Sequence, residues 1–271
     1  MNLPAPLGQL GLSRLPFPKA PEPEDLYRWP SLEELLARLR FAFACQGFAL
    51  ITGEVGSGKS TALRLFAHSL DSQRQPLLYF ADSGLSPREF YARVLENFGI
   101  VPGVTRSRVR QQFQTLFRDL SREQGKSATL VIDEAQDLSL SMVQELRYLQ
   151  NLGDHDAESP FTLILCGQAE LRAMLRLKTF EAVAQRILVR YHLGPLSLEE
   201  TGAFLGHGLK TAGVEQAMFT EPAVALLHTH SHGLPRRLGV LATHALVDAA
   251  LHDLRLVEEP SVRRAVADLE D

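Results

Sequence analysis

The sequence predicts an α/β fold built on a parallel sheet, followed by a small all-helical domain. Short apolar runs alternate with helical patterns over residues 31–195, an arrangement typical of parallel strands buried on both faces. The first apolar run leads directly into a glycine-rich turn and a helix, whereas strand signals stop at Ser197 and helical segments continue to Asp271. We therefore predict an α/β core over residues 31–195 and a helical domain over residues 196–271.

The composition is that of an ordinary globular protein, since 22% of the 271 residues are charged and 45% are hydrophobic. The formal net charge of −4 means that nucleic-acid binding would require a local basic patch or its repetition in an oligomer. Cys45 and Cys166 lie in apolar surroundings, which indicates reduced, buried thiols. Without an apolar run of membrane-spanning length or a signal-peptide pattern, we expect a cytoplasmic protein without membrane contact.

Residues 1–30 contain seven prolines, a density that predicts an extended N-terminal arm without helix or central strand. The apolar anchors expected for this proline-rich arm are Leu12, Leu15 and Phe17. Tyr27 and Trp29 would either contact a bound adenine or anchor the arm by burial, and burial is the commoner role of aromatic side chains. A helix that begins at the cap residue Ser31 then leads to the first strand.

The first apolar run, Phe48–Ile51, precedes a stretch that fits the phosphate-loop pattern G-x-x-x-x-G-K-[ST] at every fixed position. Its glycines let successive N–H groups turn toward a phosphate, at the N-terminus of a helix whose dipole also favours an anion. Lys59 would bridge the β- and γ-phosphates of ATP, and the Ser60 hydroxyl would ligand Mg²⁺. The predicted nucleotide-binding residues are Gly53, Glu54, Val55, Gly56, Ser57, Gly58, Lys59, Ser60 and Thr61.

A strand over residues 76–81 and two helices come next, and the second helix has a basic first turn. Arg106, Arg108 and Arg110 oppose the helix dipole there by roughly a few tenths of a kcal/mol. They would either face an anionic partner or remain solvated surface arginines, which is the default for a short cluster. We take these three arginines as the first candidates for contact with DNA, on a helix predicted to end before Gly125.

The strand Thr129–Ile132 ends in a pair of carboxylates, the arrangement known as Walker B. Asp133 would hold Mg²⁺ through water, and Glu134 would orient and polarise the water that attacks the γ-phosphate. An acidic pair can also be a plain helix start, but the phosphate loop about seventy residues upstream favours the catalytic role.

Four further polar residues are candidates for the site. Gln168 follows the buried strand Phe161–Cys166 and has an amide able to sense the γ-phosphate. Arg186 and Arg190 lie at the start of the last strand. Arg236 opens a helix in the all-helical part, where its guanidinium could reach back to the nucleotide.

These motifs together resemble the ExeA-type AAA+ ATPases, a family that includes the ATPase module of general secretion pathway A proteins and the TnsC- and TniB-type helper ATPases of DNA transposition. The resemblance covers nearly the whole chain and includes Leu146–Arg147 through Asn151–Leu152. It implies an AAA+ P-loop NTPase with a five-stranded parallel sheet sandwiched by helices, in which the Walker B and phosphate-loop strands flank the Gln168 strand. It also implies a helical lid and ATP held between subunits.

By the same resemblance, Arg186 is the expected arginine finger acting on a neighbouring subunit, with Arg190 as the alternate, and Arg236 is the expected sensor of the lid. Secretion members of the family carry a membrane span and a peptidoglycan-binding module after the ATPase, whereas this sequence stops after the lid. We therefore expect first an ATP-dependent ring or filament that binds duplex DNA and assists a transposase. A secretion-type assembly ATPase is the second expectation, and a nucleotide-switch scaffold with little turnover is the third.

Overall fold

The computed structural model describes residues 5–81, 84–122, 126–149 and 159–270, and the chain divides into two compact units. The sheet unit comprises Glu34–Gly53 and Lys59–Leu193. The helical unit comprises Met1–Glu33, Glu54–Gly58 and Gly194–Asp271, so it includes the middle of the phosphate loop. The predicted helix end before Gly125 and the Asn151–Leu152 part of the family motif lie outside the described residues.

The sheet unit contains five parallel strands in the order β2-β3-β4-β1-β5. The strands are β1 Phe48–Thr52, β2 Leu77–Phe80, β3 Ala128–Ile132, β4 Phe161–Gly167 and β5 Ile187–His192. The three inner strands are buried at every position, as their continuous apolar runs predict. The predicted fold class and strand order are therefore confirmed, and the carboxyl ends of β3, β4 and β1 lie side by side.

The helices surround this sheet or form the helical unit. They are α1 Ala5–Gln9, α2 Pro30–Ala44, α3 Lys59–His68, α4 Pro87–Asn97, α5 Arg106–Arg122, α6 Leu140–Leu149, α7 Ala169–Met174, α8 Glu181–Ala184, α9 Leu198–Thr211, α10 Glu221–Ser231, α11 Pro235–Leu251 and α12 Glu259–Glu270. Short 3-10 turns lie at Pro23–Asp25, Ala135–Asp137 and Lys178–Phe180.

The core of the sheet unit is rich in aromatic rings. Phe113 and Phe117 on the apolar face of α5 have ring centroids 4.4 Å apart, and Phe117 lies 4.9 Å from Phe161 of β4. All three rings are fully buried, so this face fixes the rotation of α5 against the sheet. Cys166 is buried and Cys45 is half-buried; both are free thiols.

The N-terminal arm is more structured than the proline density predicts. It contains helix α1 and a 3-10 turn, because Pro6 and Pro23 lie in the first turn of each, where proline removes no hydrogen bond. The expectation of an arm without helix is therefore wrong.

The arm packs within the helical unit. Phe17 stacks on Phe204 of α9 at 5.5 Å between ring centroids, and Tyr27 contacts both Phe204 and Trp29. Trp29 is only 3% exposed, an arrangement typical of an aromatic anchor.

Candidate active site

The phosphate loop leaves β1 after Thr52 and enters α3 at Lys59. Gly56 and Gly58 have φ angles of 85° and 106°, which L side chains rarely adopt. The Ser57 hydroxyl is buried and has no hydrogen-bond partner among the described residues. This glycine-rich loop and its buried hydroxyl fit a phosphate group, because phosphate oxygens would accept hydrogen bonds from the loop N–H groups and from that hydroxyl.

Lys59 is positioned by the first residue of the loop. It is only 7% exposed, and its Nζ donates to the Gly53 carbonyl oxygen at 2.8 Å. The Gly53 amide in turn donates to the carbonyl oxygen of Gly167 at 3.3 Å, which ties the start of the loop to the tip of β4. A buried ammonium at this position fits a phosphate group, because it would supply the opposite charge.

Two oxygen donors of the sheet unit fit a magnesium ion. Ser60 lies in the first turn of α3, and Asp133 follows β3 with an exposure of 6%. One Asp133 oxygen, Oδ1, accepts the Glu134 amide at 2.9 Å, which orients the carboxylate. Carboxylate and hydroxyl oxygens are the hard ligands that Mg²⁺ prefers.

Tyr79 of β2, which is not among the predicted site residues, joins these two oxygens. Its hydroxyl donates to Asp133 Oδ2 and forms a second hydrogen bond with Ser60. Burial and the hydrogen bond to Asp133 raise the pKa of Tyr79, so the hydroxyl stays protonated and can donate. The available signal was a polar side chain within the otherwise apolar strand Leu77–Phe80.

The predicted base and the predicted sensor are in direct contact. Glu134 has a left-handed backbone, with φ of 48°, where the chain turns out of β3. Its Oε2 accepts from Gln168 Nε2 at 3.3 Å and from Gln136 Nε2 at 2.8 Å. The structure therefore brings Glu134 and Gln168 together from adjacent strands and adds Gln136, which was not among the predicted site residues.

The two candidate finger arginines differ in their surroundings. Arg186 is exposed and directly precedes β5. Arg190 is also exposed, but its guanidinium donates to the carbonyl oxygen of Ala184 in the same chain. Both exposed arginines therefore remain candidates for a contact with a neighbouring subunit, and the family resemblance favours Arg186.

Arg236 lies in the helical unit against the phosphate loop. Its backbone N–H donates to the Gly56 carbonyl oxygen at 3.3 Å, and a Cβ on Gly56 would lie 3.0 Å from the Arg236 Cβ. Gly233, with φ of 68°, makes the turn that precedes Pro235 and α11. This arrangement places the predicted lid sensor beside the loop residues of its own unit.

The basic first turn of α5 has an internal role, which its local sequence pattern does not indicate. Arg106 and Arg110 both pair with Glu145 of α6, the latter at 3.1 Å, and Glu145 is only 2% exposed. A buried carboxylate needs such counter-charges. For these two residues the expected anionic partner is therefore a side chain of the same chain, whereas Arg108 is exposed and donates to Gln111 at 3.2 Å.

The fold and the site define an AAA+ P-loop protein: the phosphate loop follows β1, the carboxylate pair follows β3 and Gln168 follows β4. Residues 44–175 match the family described as AAA domain. The chain belongs to the ExeA-type AAA family. It is 35% identical over 243 residues to the general secretion pathway protein A of Aeromonas hydrophila. That alignment covers 88% of this chain but only 44% of the relative.

Solved structures share the fold at lower identity. The Aeropyrum pernix ORC2 protein in its ADPNP-ADP complexes is 17% identical with a TM-score of 0.68, over 94% of this chain and 71% of that one. Drosophila ORC bound to DNA is 17% identical with a TM-score of 0.70, over 100% of this chain and 69% of that one. Within the described residues, no helix is both long and apolar enough to span a membrane.

Proposed function

We propose that this chain is an ATPase that binds ATP and Mg²⁺ at the phosphate loop. The observation that carries the proposal is the contact between Gln168 and the Glu134 carboxylate, because it unites a candidate base and a candidate phosphate sensor. Nucleotide hydrolysis is the general activity of the AAA domain family, and a solved structure of the same fold holds ADPNP and ADP.

Each residue has a definite task in this reaction. Lys59 and the loop amides hold the phosphates, while Ser60 and Asp133 hold the Mg²⁺ ion, which neutralises phosphate oxygens when bound. Glu134 orients a water molecule in line with the γ-phosphorus and accepts its proton as the bond to the ADP oxygen breaks. Gln168 donates to the γ-phosphate end of the nucleotide.

Two substitutions test this assignment. Lys59→Ala should abolish measurable ATP binding, whereas Glu134→Gln should retain binding and lower the hydrolysis rate by about 10²-fold or more. Glu170→Gln, at an exposed glutamate two positions after the sensor, is the matched control and should hydrolyse at the wild-type rate. Phosphate release and equilibrium binding of a fluorescent ATP analogue are the measurements. Equal rates for wild type and Glu134→Gln would remove Glu134 from the mechanism.

We also propose that ATP joins subunits into a ring or filament. In this assembly Arg186 completes the site of a neighbour and Arg236 responds to the nucleotide. Residues 31–195 then act as the ATPase core, residues 196–271 as the lid, and residues 1–30 as an arm associated with the lid. Exposure of Arg186 and the placement of Arg236 beside Gly56 support these roles.

The partner of this ATPase is a separate question with two candidate answers. The secretion-pathway relative supports an assembly role in secretion at least as well as it supports help to a transposase. The DNA-bound structure of the same fold supports testing duplex DNA. Filter binding with an ATP analogue at low salt decides between them: retention of duplex DNA favours the transposition helper, whereas retention of cell-wall glycan alone favours the secretion role.

A further inference from the structure

Gln136 forms a hydrogen-bonded bridge between the ends of two adjacent strands. Its Nε2 donates to Glu134 Oε2 at 2.8 Å, and its Oε1 accepts from the backbone N–H of Gln168 at 3.1 Å. The side chain of Gln168 donates to the same Glu134 oxygen at 3.3 Å. One amide thus contacts the side chain of the candidate base and the backbone of the candidate sensor.

The tip of β4 has the shape that this bridge requires. A Cβ on Gly167 would lie only 2.5 Å from Gln136 Oε1, a distance that real Cβ contacts essentially never show. Glycine at this position therefore lets the Gln136 amide reach the Gln168 N–H. The 3-10 turn Ala135–Asp137 brings Gln136 back toward the sheet, and Ala135 within it is fully buried.

We propose that Gln136 is a positioning residue that holds Glu134 and Gln168 as one hydrogen-bonded group. This inference rests on the proposed ATPase function. Both amide donors converge on Oε2 of Glu134, so Oε1 is the carboxylate oxygen that faces the attacking water. Without Gln136, the Glu134 side chain regains rotational freedom, and the water loses the in-line geometry that proximity catalysis requires.

The size of the effect follows from the bonds that are lost. A hydrogen bond to a charged group corresponds to roughly a tenfold to hundredfold change in an equilibrium. We expect Gln136→Ala to lower the single-turnover hydrolysis rate by about tenfold or more, while the affinity for a fluorescent ATP analogue stays within about twofold of wild type. A residue that only stabilised the fold would not produce this separation between rate and affinity.

Gln112 supplies a matched control. Its amide also bridges two groups, in the loop before α5, accepting from Gly103 N–H at 2.8 Å and donating to the Val101 carbonyl oxygen at 2.9 Å. Gln112→Ala should leave the hydrolysis rate at the wild-type value. If Gln136→Ala does not fold, Gln136→Met keeps the side-chain length without the donor to Glu134 or the acceptor for Gln168, and it should lose rate to a similar extent.

A double substitution tests whether Gln136 acts through Glu134. In a Glu134→Ala background, Gln136→Ala should lower the residual rate no further. A wild-type rate for both Gln136 variants, or an equal loss in the Glu134→Ala background, overturns the inference while the ATPase function stands. Absence of hydrolysis by the wild type would instead remove the proposed function and, with it, this role of Gln136.

Discussion

Replacing Tyr79 by phenylalanine should strengthen the binding of magnesium-bound nucleotide. The Tyr79 hydroxyl donates to the Asp133 carboxylate and bonds Ser60, the two residues that we assign to the metal. The ion, or the water through which Asp133 holds it, would bond to these oxygens in place of that hydroxyl, so the hydrogen bond competes with Mg²⁺. A hydrogen bond to a charged group contributes about 1.5–3 kcal/mol, and the 44% exposure of Tyr79 favours the lower end. About 1.5 kcal/mol corresponds to about tenfold in affinity.

The assay is a fluorescence titration of an ATP analogue with and without Mg²⁺. Tyr79→Phe should bind about tenfold more tightly with Mg²⁺ and equally without it. Tyr191→Phe is the matched control, because its hydroxyl donates to the exposed Glu34 at 3.2 Å in the same unit. Weaker binding by Tyr79→Phe with Mg²⁺ would refute the competition and would indicate that the hydroxyl stabilises the metal-bound state.

Three further predictions follow from other contacts. If Arg186 acts in trans, turnover per subunit should rise with protein concentration, and mixing Arg186→Ala with Lys59→Ala protein should restore part of the activity; a rate independent of concentration from a monomer argues against this role. Arg110→Ala should lower the unfolding free energy by about 2–3 kcal/mol, since it removes a counter-charge from the buried Glu145, and chemical denaturation measures this loss. Arg264 donates to both oxygens of Asp248 at 2.8 Å and lowers the pKa of that carboxyl, so the stability from this pair is present above about pH 4 and is lost as the pH falls below it. The melting temperature of Arg264→Ala should accordingly depend less on pH in the acid range than that of wild type. An identical pH dependence would contradict the assignment.

The parts of the fold that the sequence predicts are those governed by local pattern. The inner strands are continuous apolar runs, and Ser86 and Ser197 each form a capping box at the start of a helix; both features depend on residues close together in the chain. The site residues that follow different strands meet because parallel strands end at one edge of the sheet.

The contacts that the sequence did not predict depend on which faces of distant elements meet. Glu145 lies on the apolar face of α6, between Met142 and Leu149, and no local pattern shows that α5 presents two arginines to it. Tyr79 reaches Asp133 only because β2 pairs with β3. The bridge made by Gln136 likewise depends on the glycine at the tip of β4, which is far away in the sequence.

The pairing of Glu145 also changes how a DNA interaction has to be tested. Reversing Arg106, Arg108 and Arg110 together to glutamate would place two new carboxylates beside a buried one, so lost DNA binding could reflect unfolding alone. Arg108 is exposed and free of that carboxylate pairing, so Arg108→Glu is the informative variant. If the repeated basic patch of an ATP-bound oligomer binds DNA phosphates, Arg108→Glu should weaken binding equally for all sequences and reduce its salt dependence, with the unfolding free energy unchanged. Unchanged DNA affinity in this stable variant would exclude the first turn of α5 as the contact surface, whatever the effect of the triple reversal.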